Sequence, residues 1–90
     1  MQAYHSRMLT NANDSIDGCV RTLIRTLRVE AGLRQAELAA LLGQPQSFVS
    51  KYEIGDRELS LAEVRTICLA LGASLTAFVE RLEEMIVEAE

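Results

Sequence analysis

Between Gln35 and Tyr52 the chain reads QAELAALLGQPQSFVSKY, in which amide, hydroxyl and ammonium side chains are set among apolar ones at helical spacing. Amides and hydroxyls carry both donors and acceptors, and an ammonium donates up to three hydrogen bonds. Such a set on one helix face suits the edges of bases in a groove. Two short helices joined by a tight turn at Gly43, the second with polar side chains outward, is the layout of a DNA-reading helix-turn-helix. Any exposed helix has polar residues, however, and Gln, Ser and Lys are ordinary surface choices, so spacing alone does not decide.

Other chemistries have less support. The chain offers no His, Cys and carboxylate constellation and no glycine loop to cradle a phosphate, and 90 residues leave too little volume for an enclosed pocket. An enzyme is therefore not expected, nor a cofactor. Cys19 and Cys68 each fall on the apolar stripe of an expected helix, without a second Cys or a His at metal-ligand spacing. They read as reduced core thiols, and no metal site is expected. His5 lies in a polar leader with no carboxylate or Cys nearby and is expected to be exposed and idle.

With 49% hydrophobic and 24% charged residues, the chain suffices for one small domain with a modest core. It has no long uncharged apolar run, and its start, MQAYHSRMLTNANDS, lacks the basic-then-apolar order of a secretory signal. The expectation is a cytoplasmic protein with no membrane contact. The net charge of −4 looks wrong for a nucleic-acid binder, but phosphate attraction is local and screened within about 8 to 10 Å. Residues 1 to 73 balance eight basic groups against eight acidic ones, whereas from Ser74 onward Arg81 stands alone against Glu80, Glu83, Glu84, Glu88 and Glu90. The whole excess thus belongs to the last helix. A neutral body remains a weaker electrostatic footprint than that of a strongly basic binder.

Apolar residues recur at spacings of three and four throughout, with no sustained period of two, so the expected class is all-α with five helices. The first is expected from Ser15 or Ile16 to Ala31, burying Ile16, Val20, Leu23, Ile24 and Leu27 and turning Arg21, Arg25 and Arg28 to its other face, with residues 1–14 as a flexible leader. The second, Gln35 to Leu42, turns Leu38, Ala39 and Leu42 inward and stops at Gly43. The third starts at Pro45 or Gln46 and runs to about Ile54, anchored by Val49 and Tyr52. The fourth opens with the capping box Ser60-Leu-Ala-Glu63 and buries Leu61, Val64, Ile67, Cys68 and Leu71. The fifth is capped by Ser74.

The chain resembles the Cro and lambda-repressor-like, or XRE-like, helix-turn-helix domain of phage repressors. The resemblance covers about Val20 to Leu82 and rests on I-R-x-L-R at Ile24 to Arg28, G-L-x-Q at Gly32 to Gln35, and E-L-A-x-x-L-G at Glu37 to Gly43. It continues through P-Q-S-F-V-S-K-Y-E at Pro45 to Glu53, G-x-R at Gly55 to Arg57, and A-L-G-x-S-L at Ala70 to Leu75. It implies a compact five-helix fold with the helix-turn-helix at the second and third helices, and binding to double-stranded DNA. Gln35 then matches a glutamine that binds a phosphate and braces the recognition helix. Gln46, Ser47 and Lys51 match positions that reach base edges, with Ser50 between them. Gln can pair with adenine N6 and N7, and Lys51 either donates to guanine O6 and N7 or contacts a phosphate. Phe48 is placed to touch a thymine methyl or the sugar backbone, or else to pack on a neighbouring helix. Arg34 is a further backbone candidate. Arg57 suits a phosphate or a pairing with Glu53 better than a base.

In the last helix Leu75, Val79, Leu82, Ile86 and Ala89 repeat at four-three-four-three spacing, flanked by Phe78 and Met85. Leu75 and Phe78, with Val79, are expected to complete the domain's core, while Leu82, Met85 and Ile86 run past it. A homodimer through Val79, Leu82, Met85 and Ile86 is therefore expected; the competing reading folds the helix back along the core. Together these features describe a small transcriptional regulator, a repressor acting as a dimer on a palindromic operator. Two alternatives stay open: an autoregulating antitoxin of a toxin-antitoxin pair, and a protein-interaction module that kept the fold with weak DNA binding and uses its last helix on a protein partner.

Overall fold

A computed structural model describes the backbone of residues 2–89 and the side chains of residues 16–88. Five helices follow one another, with no strand among the described residues: α1 Gln2–Glu30, α2 Gln35–Leu42, α3 Gln46–Ile54, α4 Leu61–Ala70 and α5 Leu75–Ala89. The all-α class read from the apolar spacing is the observed one. Helix α1 begins at Gln2, upstream of the start expected at Ser15 or Ile16. The side chains of the expected leader, His5 among them, lie outside the described residues.

The core draws on every helix: Leu23 and Ile24 from α1, Leu38 and Ala39 from α2, Val49 and Tyr52 from α3, Val64, Ile67 and Cys68 from α4, and Phe78 from α5. Helices α2 and α3 pack on one another, α1 packs against α3 and α5, and α4 packs against α2 and α5. The short helices persist through this burial and through their ends, since eight or nine residues are marginal as an isolated helix. At the end of α2, Gly43 takes φ 66°, a left-handed conformation that lets its N–H and that of Gln44 reach back to Ala40 and Ala39 carbonyls at 3.1 and 2.9 Å. The chain thereby reverses within three residues, and Pro45 opens α3. At Gly55, after α3, φ is 88°, and a Cβ would sit 3.4 Å from the Arg21 guanidinium, so both backbone and neighbour favour glycine.

The expected capping box at α4 is present: Glu63 N–H donates to Ser60 Oγ at 3.1 Å and Ser60 N–H donates to Glu63 Oε1 at 2.8 Å. Ser74 accepts from Ala77 N–H at 3.0 Å and so caps α5. Other expectations need correction. Leu61, expected in the buried stripe of α4, is 69% exposed, because as the first residue of the helix it lies beside the cap and outside the packed turns. Val20, Leu27, Leu42 and Leu71 are half-buried at the margin of the core, and Ile16 and Cys19 are half-buried. Cys68 is buried in the core, which raises its thiol pKa and keeps it protonated.

The largest differences concern Arg28 and α5. Arg28 does not share a solvated face with Arg21 and Arg25; it is buried. Leu82 and Met85 do not run past the core but lie half-buried against it, because α5 folds back along α1. Leu75, Phe78, Leu82 and Met85 form the inward row of α5, leaving Val79 40% exposed. Arg81 reaches Glu30 at 3.4 Å across the same α1–α5 contact.

Candidate nucleic-acid interface

Burying Val49 and Tyr52 fixes the rotation of α3, and with it the direction of every polar residue on that helix. Gln46, Ser47 and Lys51 are exposed, and the Lys51 ammonium makes no hydrogen bond or ion pair among the described residues. Ser50 is half-buried and donates through Oγ to the Ser47 carbonyl at 3.3 Å. Ser47 and Lys51 therefore present free polar groups, Gln46 keeps part of its amide free, and Ser50 is partly satisfied by its own helix.

Gln35, at the start of α2, joins this face to the interior. Its Nε2 donates to Glu53 Oε1 at 2.9 Å, and its Oε1 accepts from Gln46 Nε2 at 3.5 Å, the long end of hydrogen-bonding distance. Behind it, Arg28 Nε donates to Glu53 Oε2 at 2.7 Å and a second guanidinium nitrogen donates to Glu53 Oε1 at 3.1 Å. The third nitrogen donates to the Leu33 carbonyl in the α1–α2 turn at 2.8 Å. The Arg28 and Glu53 side chains are only 10% and 4% exposed. A fork-to-fork pair of this kind fixes orientation as well as distance, and the carboxylate holds the guanidinium still more firmly protonated. One continuous chain of polar contacts thus runs from the α1–α2 turn, through the end of α3 and the start of α2, to the first residue of α3.

Arg28 and Glu53 are the residues that reading the sequence missed. A signal was available: Arg28 follows Ile24 by four and Leu27 by one, and Glu53 follows Val49 by four, so both border apolar stripes where a lone charge requires a partner.

The remaining candidates divide. Arg34 projects into solvent, its side chain 83% exposed, and pairs with Glu37 at 3.3 Å. The Arg34 backbone N–H, with help from its guanidinium, holds the Glu37 carboxyl below its usual range. Arg57 does not pair with Glu53, whose oxygens are taken by Arg28 and Gln35; it pairs with Glu63 at 2.9 and 3.2 Å. This contact, with the Ser60 N–H, holds the Glu63 carboxyl down at about 2. The Arg57 guanidinium also lies 4.6 Å over the Phe48 ring, whose edge meets Tyr52 at 5.5 Å between centroids. Phe48 is thus half-buried beneath Arg57, next to a shallow groove it shares with Leu42, Ala62, Thr66 and Ile67. Packing, the second of its two expected roles, is the one its surroundings display.

In comparisons with known proteins, the helix-turn-helix family model HTH_3 matches residues 24–78. A curated-protein comparison gives no match. Among solved structures, an XRE-family like protein from Pseudomonas syringae pv. tomato str. DC3000 superimposes with a TM-score of 0.80 at 36% identity, over 86% of this chain and 94% of that one. The restriction-modification controller protein C.Esp1396I, solved as a tetramer with its natural 35 base-pair operator, gives a TM-score of 0.74 at 26% identity, over 80% of this chain and 95% of that one. The clp gene regulator ClgR from C. glutamicum, at 24% identity and a TM-score of 0.70 over 79% of this chain and 91% of that one, shares the fold.

Proposed function

Because this chain belongs to the XRE-like helix-turn-helix family of DNA-binding transcription regulators, we propose that it is a repressor that binds a palindromic operator as a dimer, with α3 in the major groove. The observation that carries this reading is the exposed set Gln46, Ser47 and Lys51 on a helix whose rotation is fixed from behind by Val49 and Tyr52. Gln46 and Lys51 read base edges, with Ser47 and Ser50 as lesser contacts, while Gln35 and Arg34 at the start of α2 meet phosphates beside the helix N-terminus. Arg57 reaches a phosphate only by leaving Glu63, so its contribution is the smaller one. A repressor of this kind acts by occupying a promoter.

Self-association is assigned to α5. Val79 and Ile86, seven residues and two turns apart, share a face next to the inward row, and Val87 nearby is 65% exposed. Leu82 and Met85, half-buried by their own chain, form the edge of that surface rather than its centre. The C.Esp1396I controller assembles as a tetramer on its operator, which supports pairing of DNA-bound copies here. A two-fold dimer sets its recognition helices about 34 Å apart, the repeat of successive major grooves.

A protein-interaction module is the second reading, favoured by the balanced charge of residues 1 to 73. Duplex binding measured across a salt series separates the two. A steep fall of affinity with salt, with the slope reduced by about one unit in Arg34→Ala, supports the repressor. A shallow fall supports the interaction module.

A further inference from the structure

We propose that Glu53 is a specificity-setting positioning residue: it fixes which end of the Gln35 amide, and through it which end of the Gln46 amide, faces a base. The inference rests on the reading of α3 as the DNA-reading helix and adds to it a residue that touches no DNA.

Both oxygens of Glu53 accept from the Arg28 guanidinium, so the group presents acceptors and no donor to its neighbours. An amide beside it has one stable orientation, Nε2 inward, which is the orientation of Gln35 at 2.9 Å. The Oε1 of Gln35 is consequently turned to the Gln46 side, where it accepts from Gln46 Nε2. Gln46 then has one N–H engaged, and its second N–H and its Oε1 remain for the groove. Those are the donor and acceptor that match adenine N7 and N6. With no charge behind it, a glutamine pair of this kind is free to turn both amides over, exchanging donor for acceptor at the base. The buried carboxylate removes that freedom. Arg28 keeps the carboxylate in place and, through the Leu33 carbonyl, ties it to the turn that leads into Gln35.

The experiment measures affinities for a panel of duplexes in which each base pair of the preferred site is replaced in turn by the other three. The position read by Gln46 is located as the one at which Gln46→Ala loses its preference. Four further proteins are compared with the wild type: Glu53→Gln, Glu53→Asp, Arg28→Lys and the double variant Glu53→Gln/Gln46→Ala. Glu53→Asp keeps the charge but shortens the reach to Gln35, so the test does not depend on one variant folding. Discrimination at the Gln46 position is expected to fall by at least about 5-fold in each folded Glu53 variant, other positions keeping their wild-type ratios. Arg28→Lys keeps a cation beside Glu53 and is expected to lose thermal stability while keeping that discrimination within about 2-fold. The double variant is expected to match Gln46→Ala. Wild-type discrimination in a folded Glu53 variant, or an equal loss at every position, overturns the proposal and leaves DNA reading by α3 intact. A wild-type protein that prefers no base pair anywhere overturns both.

Discussion

The Nε2 atom of Gln35 donates to Oε1 of Glu53 at 2.9 Å, which joins the first residue of α2 to the last turn of α3 by a carboxylate that Arg28 holds from behind. The angle between the two helices of the motif is therefore set by hydrogen bonds as well as by the apolar contact beneath them. The polar chain ends at the exposed amide of Gln46, so the geometry of the interior is carried to the surface.

Truncating one partner of the Arg28–Glu53 pair leaves a buried charge uncompensated. Glu53→Ala and Arg28→Ala are each expected to cost about 3 to 5 kcal/mol of stability. In a domain of this size that lowers the melting temperature by more than about 10 °C, measured by circular dichroism. A double variant, Arg28→Met/Glu53→Leu, is expected to recover much of the loss, because apolar residues of similar volume leave no charge unpaired. Melting curves that superimpose on the wild type for the single variants would mean that the pair does not hold the fold.

Gln46→Ala is expected to cost about 1 to 3 kcal/mol at one base pair and to relax preference there, with the rest of the site unaffected. Gln35→Ala is expected to weaken every duplex, because it removes a phosphate contact, and to add a loss at the Gln46 position. Affinities for single-substitution duplexes distinguish the two patterns. Equal weakening of all sequences by Gln46→Ala would remove its base-reading role.

Acid should loosen the α3–α4 connection. The folded-state pKa of Glu63 is depressed to about 2 by Arg57 and the Ser60 N–H, and Glu37 shifts in the same direction. A depressed carboxylate contributes stability that is present above its unfolded pKa, about 4.3, and is lost as pH falls through that value toward the folded one. The melting temperature is thus expected to fall between about pH 4.5 and pH 2, less steeply in Glu63→Gln. Carbon-detected NMR titration should find Glu63 ionised at pH 3; a midpoint near 4.3 would contradict the contact with Arg57.

Tyr52 is fully buried, and its hydroxyl has no hydrogen-bond partner among the described residues, while burial raises its pKa. A buried hydroxyl that gains no partner costs desolvation. Tyr52→Phe keeps the ring against Phe48 and is expected to be neutral or stabilising by up to about 1 kcal/mol, whereas Tyr52→Ala should cost about 3 to 5 kcal/mol. Destabilisation by the phenylalanine variant in urea titration would show that the hydroxyl is satisfied in solution.

The helices and most of the core were legible because they rest on local signals: the period of Leu23, Ile24 and Leu27, the glycine ends, and the Ser60 and Ser74 caps. The positions of Gln46, Ser47 and Lys51 were legible for the same reason, since Val49 and Tyr52 fix the rotation of a short helix. What was not legible depends on residues far apart in the chain. Arg28 and Glu53 are 25 residues apart, and no period reports that they meet. The return of α5 along α1, which half-buries Leu82 and Met85, is likewise decided by packing between the ends of the sequence. Of the two partners expected for Arg57, a phosphate or Glu53, the second is not available: Glu53 faces inward, and Glu63 stands where the guanidinium reaches.

The most direct test of DNA reading by a dimer is selection of bound duplexes from a random-sequence pool by the untagged protein at near-physiological salt. The expected result is an enriched palindrome with half-site centres about one helical turn apart, which requires both base reading and two-fold association. Recovery of no enriched sequence would contradict the assignment of Gln46 and Lys51 to base edges and would favour the protein-interaction module instead.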